Sequence, residues 1–102
     1  MLLRDPENEC WVSAASVWEI AIKSAIGKLV MASPLRDLEK MLVADGFRIL
    51  DVTMQHAATV PEIQLPHNDP FDRLLLAQCE VETMRLLSAD QLLAKIPAVI
   101  SV

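Results

Sequence analysis

The sequence predicts an α/β domain built on a mostly parallel sheet. Three observations lead there. Short apolar segments suited to buried strands are separated by segments of helical periodicity, in the order β-α-α-β-α-α-β-α-β, the pattern of parallel strands joined by crossover helices. Hydrophobic residues make up 53% of the chain, enough to build a core and far from the composition of disordered segments. The 102 residues include only two glycines and no low-complexity run or internal repeat, so one domain spanning residues 1–102 is expected.

Residues 1–9 read as polar and turn-like, because Asp5-Pro6-Glu7-Asn8-Glu9 has little to bury. Cys10-Trp11-Val12 is the first buried strand. The helix that follows runs from Ser13 to Ile26, with a capping-box pattern at Ser16-x-x-Glu19 and Gly27 where a C′ glycine belongs. Val17, Trp18, Ile20, Ala21, Ile22, Ala25 and Ile26 make it apolar almost all round. Most of its faces should therefore be buried, leaving the narrow stripe of Ser16, Glu19 and Lys23 to look into a cleft or a partner. Lys28-Leu29-Val30 leads to Ser33-Pro34, a cap-plus-proline start for a helix from Pro34 to Ala44, which stops at Gly46. Phe47–Val52 reads as a strand with partial alternation. Thr53 can cap a short helix through Val60, which Pro61 confines.

The stretch His67–Gln78 is the most informative. Asp69 can cap a helix and Pro70 fits its first position, where no N–H is needed. Asp72 falls in the first turn, ahead of the apolar Leu74-Leu75-Leu76-Ala77, and the helix runs to about Val81. A carboxylate placed there has two possible jobs. One is capping and dipole compensation, which contributes ~0.5–2 kcal/mol. The other is metal ligation in a cleft. Arg85–Ser88 is then a strand, Asp90–Lys95 a short helical turn, and Ala98–Val102 the last strand. In such sheets sites form at the carboxyl ends of the strands. Glu19 follows the first strand closely, Asp72 opens the helix that feeds the third, and Asp90 comes just after it.

A net charge of −5 provides no broad basic surface to hold nucleic acid by counterion release. Any nucleic-acid contact must be local, with metal ions offsetting the carboxylates. No apolar run is long enough to cross a bilayer and no signal peptide is present. Cys10 and Cys79 lack metal or redox spacing. They read as reduced core thiols of a cytoplasmic protein.

Ser13-Ala14-Ala15-Ser16-Val17-Trp18-Glu19-Ile20-Ala21-Ile22-Lys23 followed by Gly27-Lys28-Leu29, then His67-x-Asp69-Pro70-Phe71-Asp72-Arg73-Leu74-Leu75, then Leu86-Leu87-Ser88-Ala89-Asp90 together resemble the motifs of VapC-type PIN-domain ribonucleases, in the right order and at familiar spacing. The resemblance covers the chain from about Asp5 onward. It implies a three-layer α/β/α fold and a metal-dependent endoribonuclease, usually the toxin of a type II toxin–antitoxin pair. It also implies Glu19, Asp72 and Asp90 as catalytic, metal-holding carboxylates for Mg²⁺ or Mn²⁺; the position of Asp69 favours helix capping, with a supporting role behind the metal ligands as the alternative. RNA is the implied substrate and a cognate antitoxin the implied partner, with a homodimer or higher oligomer expected. Such hard cations take oxygen ligands and suit in-line phosphodiester cleavage.

Plainer roles stand beside these. Glu19 can complete the capping box and pair with Lys23, and Asp90 can cap its short helix. His56 and His67 lack a ligand spacing, so loop or packing roles are expected. Trp11, Trp18 and Phe71 read as core aromatics. The family's opening strand, with its own aspartate, has no counterpart here, since a parallel crossover does not fit between Asp5 and Cys10. By resemblance the chain lacks about 25–30 residues, one βα unit. That would leave unpaired the strands at Cys10–Val12 and Arg85–Ser88, place Asp5 far from the other carboxylates and impair cleavage. Two alternatives follow: a non-catalytic remnant that dimerises or binds an antitoxin, and an unrelated α/β interaction module.

Overall fold

The computed structural model describes residues 1–4, 9–27, 34–65, 68–88, 96 and 98–101. Its strands are β1 (Leu2–Arg4), β2 (Glu9–Ser13), β3 (Arg48–Leu50), β4 (Arg85–Ser88) and β5 (Val99–Ser101). Its α-helices are α1 (Ala14–Ala25), α2 (Leu38–Ala44), α3 (Met54–Thr59) and α4 (Pro70–Glu82), and 3₁₀ turns at Leu35–Asp37 and Val60–Glu62 complete the set. The architecture is the mixed α/β one that the element order predicts.

The strands form one sheet in the order β3-β2-β1-β4-β5. β2 and β3 pair in parallel, as do β4 and β5, while β1 is antiparallel to both its neighbours. Four of the five strands therefore point the same way, and only the central one is reversed.

That central strand corrects the turn expected over residues 1–9. Leu2 sits opposite Trp11 on one side and Leu86 on the other, and it is completely buried. The reason is physical. Facing edges of β2 and β4 carry rows of backbone N–H and C=O groups that must be paired, and three residues of Leu-Leu-Arg suffice to pair them. The two strands expected to lack a neighbour have one. Asp5 lies outside the described residues.

The core gathers Leu2, Leu50, Leu76, Cys79, Met84, Leu86 and Val99, with Trp11, Leu75 and Ile96 packed against it. Both cysteines are free, Cys79 buried and Cys10 half-buried. At the rim Arg48 lies over the Trp11 ring, 5.7 Å from its centroid, and reaches Glu9 at 2.9 Å. Trp11 is thus a core-flanking aromatic, as expected.

Trp18 is not. It is 59% exposed, and Ile22 and Ile26 on the same helix face are exposed with it. The expectation that α1 is buried on most faces is corrected: among its residues only Ala15 is fully buried. A helix that joins the domain at its first turn buries that turn, whatever the hydrophobicity of the rest. The cap is corrected too. Ser13 caps α1, its hydroxyl accepting from the Ala15 N–H at 3.0 Å, so Ser16 lies inside the helix and Glu19 is no part of a capping box. Gly27 at φ 77° ends the helix as its left-handed backbone requires.

The remaining boundaries hold closely. β3 is shorter than Phe47–Val52, and the helix expected over 34–44 opens with a 3₁₀ turn. Ser33, His67 and the Asp90–Lys95 turn lie outside the described residues. Thr53 caps α3 as expected, in a full capping box with His56.

Candidate functional site

Two of the three sequence candidates, Glu19 and Asp72, lie on α1 and α4, so the site is built from how those helices start and how they meet. The carboxylate of Asp69 accepts from the N–H groups of Phe71 at 2.9 Å and Asp72 at 3.4 Å, and Pro70 takes the position that needs no donor. Capping is therefore the work of Asp69, and Asp72 stands half-buried on the first turn. Arg73 ties the preceding loop to the helix, donating to the Ile63 carbonyl at 2.7 Å and to Asn68 Oδ1 at 3.4 Å.

Two contacts join α1 to α4. Ser13 Oγ donates to Gln78 Oε1 at 2.6 Å. The Trp18 and Phe71 rings meet edge to face, centroids 5.4 Å apart at 65°, a favoured aromatic geometry. As the chain advances from 13 to 18 in α1, its partner recedes from 78 to 71 in α4. The helices thus pass in opposite senses, with Glu19 next to Trp18 on α1 and Asp72 next to Phe71 on the first turn of α4. Glu19 carries an i,i+4 ion pair with Lys23 at 3.5 Å, its side chain 29% exposed against 53% for the lysine. Such a pair contributes only a few tenths of a kcal/mol, so it sets little barrier to another cation.

Asp90 lies outside the described residues. Among those residues no group of three or more His, Cys, Asp or Glu side chains is placed to hold a metal ion. The two described candidates, Glu19 and Asp72, stand on adjoining helices. That donor set still fits a hard dication, since Mg²⁺ is commonly held by one or two carboxylates, with waters and substrate phosphate completing its shell. An apolar groove of about 430 Å³, walled by Ile63, Leu76, Cys79 and Ile96, includes neither carboxylate.

Behind the helix pair lies a buried polar chain that sequence reasoning missed. Gln78, fully buried, donates through Nε2 to the Asp51 carbonyl at 3.4 Å and to His56 Nδ1 at 3.3 Å. The Thr53 N–H also donates to Nδ1, at 3.0 Å. A backbone N–H can only donate, so Nδ1 carries no proton in the neutral ring; Nε2 carries it and donates to Glu82 Oε2 at 2.7 Å. His56 is therefore a packing histidine, as expected, and one with a fixed tautomer. Two signals could have found the chain: Thr53-x-x-His56 has capping-box spacing, and Gln78 is a lone amide in an apolar run.

A family model described as PIN domain matches residues 2–99. No curated protein and no solved structure matches the chain. Among the described residues no helix is long and apolar enough to cross a membrane.

Proposed function

The chain belongs to the PIN domain family, whose members are in general nucleases, and from that premise we propose that it is a Mg²⁺- or Mn²⁺-dependent endoribonuclease of the VapC toxin type. The observation that supports this reading is the PIN domain match over residues 2–99, with Glu19 on α1 and Asp72 on the first turn of the adjoining α4. Glu19 and Asp72 would hold the ion, with Asp90 as the third carboxylate. When bound, such an ion supplies positive charge at the scissile phosphate and acidifies the attacking water.

The protein's own residues set the stage for that chemistry. Asp69 satisfies the first N–H groups of α4, and Asp72 is thereby spared the capping role. Lys23 partly offsets the charge of Glu19. With a net charge of −5, affinity for RNA rests on local contacts at this site rather than on a basic surface. A cytoplasmic setting and a cognate antitoxin that occludes the site belong to the same reading.

The test is cleavage of RNA in Mn²⁺ by the protein and by Asp72→Asn. Asn can still serve a helix start, so the fold should survive while cleavage falls by at least a hundredfold. Cleavage that persists in Asp72→Asn, or in excess chelator, would overturn the proposal.

A second reading has its own observation. Trp18, Ile22 and Ile26 expose an apolar stripe along α1, suited to a non-catalytic module that pairs with a second copy or an antitoxin. A protein that binds no Mn²⁺ yet self-associates through that stripe, and loses association on Trp18→Glu, would favour it.

A further inference from the structure

We propose that Ser13 and Gln78 are positioning residues, a buried strut that fixes how far apart α1 and α4 hold Glu19 and Asp72. The inference rests on the metal-site reading above and adds what keeps that site in shape. Glu19 follows Ser13 by six residues and Asp72 precedes Gln78 by six. With the helices passing in opposite senses, equal offsets set the backbones of both residues about 9 Å along their helices from the strut, at 1.5 Å per residue. A shift at the strut is therefore passed along both helices to the site.

The strut is also directional at every link. Ser13 Oγ accepts from the Ala15 N–H, which turns its own proton toward Gln78 Oε1. Reversing the Gln78 amide would set its NH₂ against the Ser13 proton and its oxygen against the Asp51 carbonyl, so one orientation alone satisfies all partners. His56, held by Thr53 and Glu82, anchors the far end. Ser13 is 1% exposed, Gln78 and His56 0%. Packing could hold two helices together with apolar groups alone; a fully satisfied buried polar chain selects one register among several. α1 needs it because, beyond Ala15, its residues are at most half-buried.

The experiment measures Mn²⁺ affinity by electron paramagnetic resonance, with no dependence on RNA cleavage. The variants are Ser13→Gly, Ser13→Thr and Gln78→Met, with Asp72→Asn and Val99→Ala as controls, all confirmed folded by circular dichroism. Glycine is tolerated at a helix cap at a cost of a few tenths of a kcal/mol but has no hydroxyl to reach Gln78, so this variant stays informative even where Gln78→Met fails to fold. Threonine keeps both the cap and the donor. The expected result is a loss of about tenfold in Mn²⁺ affinity for Ser13→Gly and Gln78→Met, the lower end of what supporting-shell changes cost. Ser13→Thr should bind as the unaltered protein does. Val99→Ala, which empties part of the core without touching the strut, should bind as the unaltered protein does too. Unchanged affinity in Ser13→Gly overturns the strut and leaves the metal site standing. An equal loss in Val99→Ala overturns it too, by reducing the effect to general stability. No Mn²⁺ binding by the unaltered protein, or full binding by Asp72→Asn, overturns the metal site and the strut with it.

Discussion

Cys79 shows how strongly one position can be governed by its surroundings. It is packed among Leu76, Met84 and Leu86 in the core, and burial pushes its thiol from 9.0 up to about 12. A thiolate there would lose its hydration, and the nearby N-terminal amine offsets only part of that loss. The sign of the linkage follows. Below pH 9 the thiol is neutral whether the chain is folded or not, and its contribution to stability is whole. Between pH 9 and about 12 the unfolded chain ionises and the folded one resists, so stability is lost as pH rises through that window. Urea unfolding at pH 8 and pH 10.5 should show the loss. Cys79→Val should show a smaller one, and an equal loss in both would place the titrating group elsewhere. At neutral pH the same burial should keep Cys79 unreactive toward iodoacetamide until the chain unfolds.

At the scale of the element, the ends of the helices carry most of the information. Asp69 and Pro70 start α4 in the manner their types dictate. Its other end is less favourable. Thr83 takes the left-handed conformation at φ 56° as the C-cap, a backbone that costs an ordinary residue ~1–2 kcal/mol and a β-branched one no less. The strain is accepted because the turn lets the Met84 N–H reach the Cys79 carbonyl at 2.9 Å and aims the chain into β4. Thr83 is exposed, so replacing it removes no core contact. Thr83→Gly should therefore raise stability by ~0.5–1 kcal/mol, the strain relieved less the extra freedom glycine has when unfolded. Thermal denaturation checks it, and a lower melting temperature would mean the threonine side chain earns its place by a contact.

For the whole molecule, the decisive feature is the reversed strand at the middle of the sheet. β1 joins a β2–β3 pair to a β4–β5 pair, and no other described strand bridges them. Within the sheet, three residues thus couple its two halves, beside the direct contacts that α1 and α3 make with α4. Leu2, fully buried between Trp11 and Leu86, supplies most of that coupling. Leu2→Ala should cost ~2–5 kcal/mol, as buried leucine truncations do. That corresponds to a melting temperature lower by roughly 10 °C or more for a domain of this size. Leu3→Ala, at a half-buried position on the same strand, should cost clearly less. Equal losses would show that backbone pairing, not the Leu2 side chain, unites the halves.

By itself the sequence determined what depends on neighbours along the chain. Thr53 and Asp69 as caps, Gly27 as a helix stop and the limits of β4 were all legible, because turns, caps and helical faces are settled within a few residues. Long-range partners decided the rest. Ser13 and Ser16 are equally good cap candidates in isolation; Ser13 prevails because β2 runs to it and Gln78 waits for its proton. Trp18 looks like a core residue by type, yet whether it is covered depends on what packs over α1. Leu2–Arg4 has too short a run to declare itself a strand and becomes one only because β2 and β4 present unpaired backbone on either side. How α1 passes α4 is likewise a property of two helices brought together, and no spacing along the chain contains it.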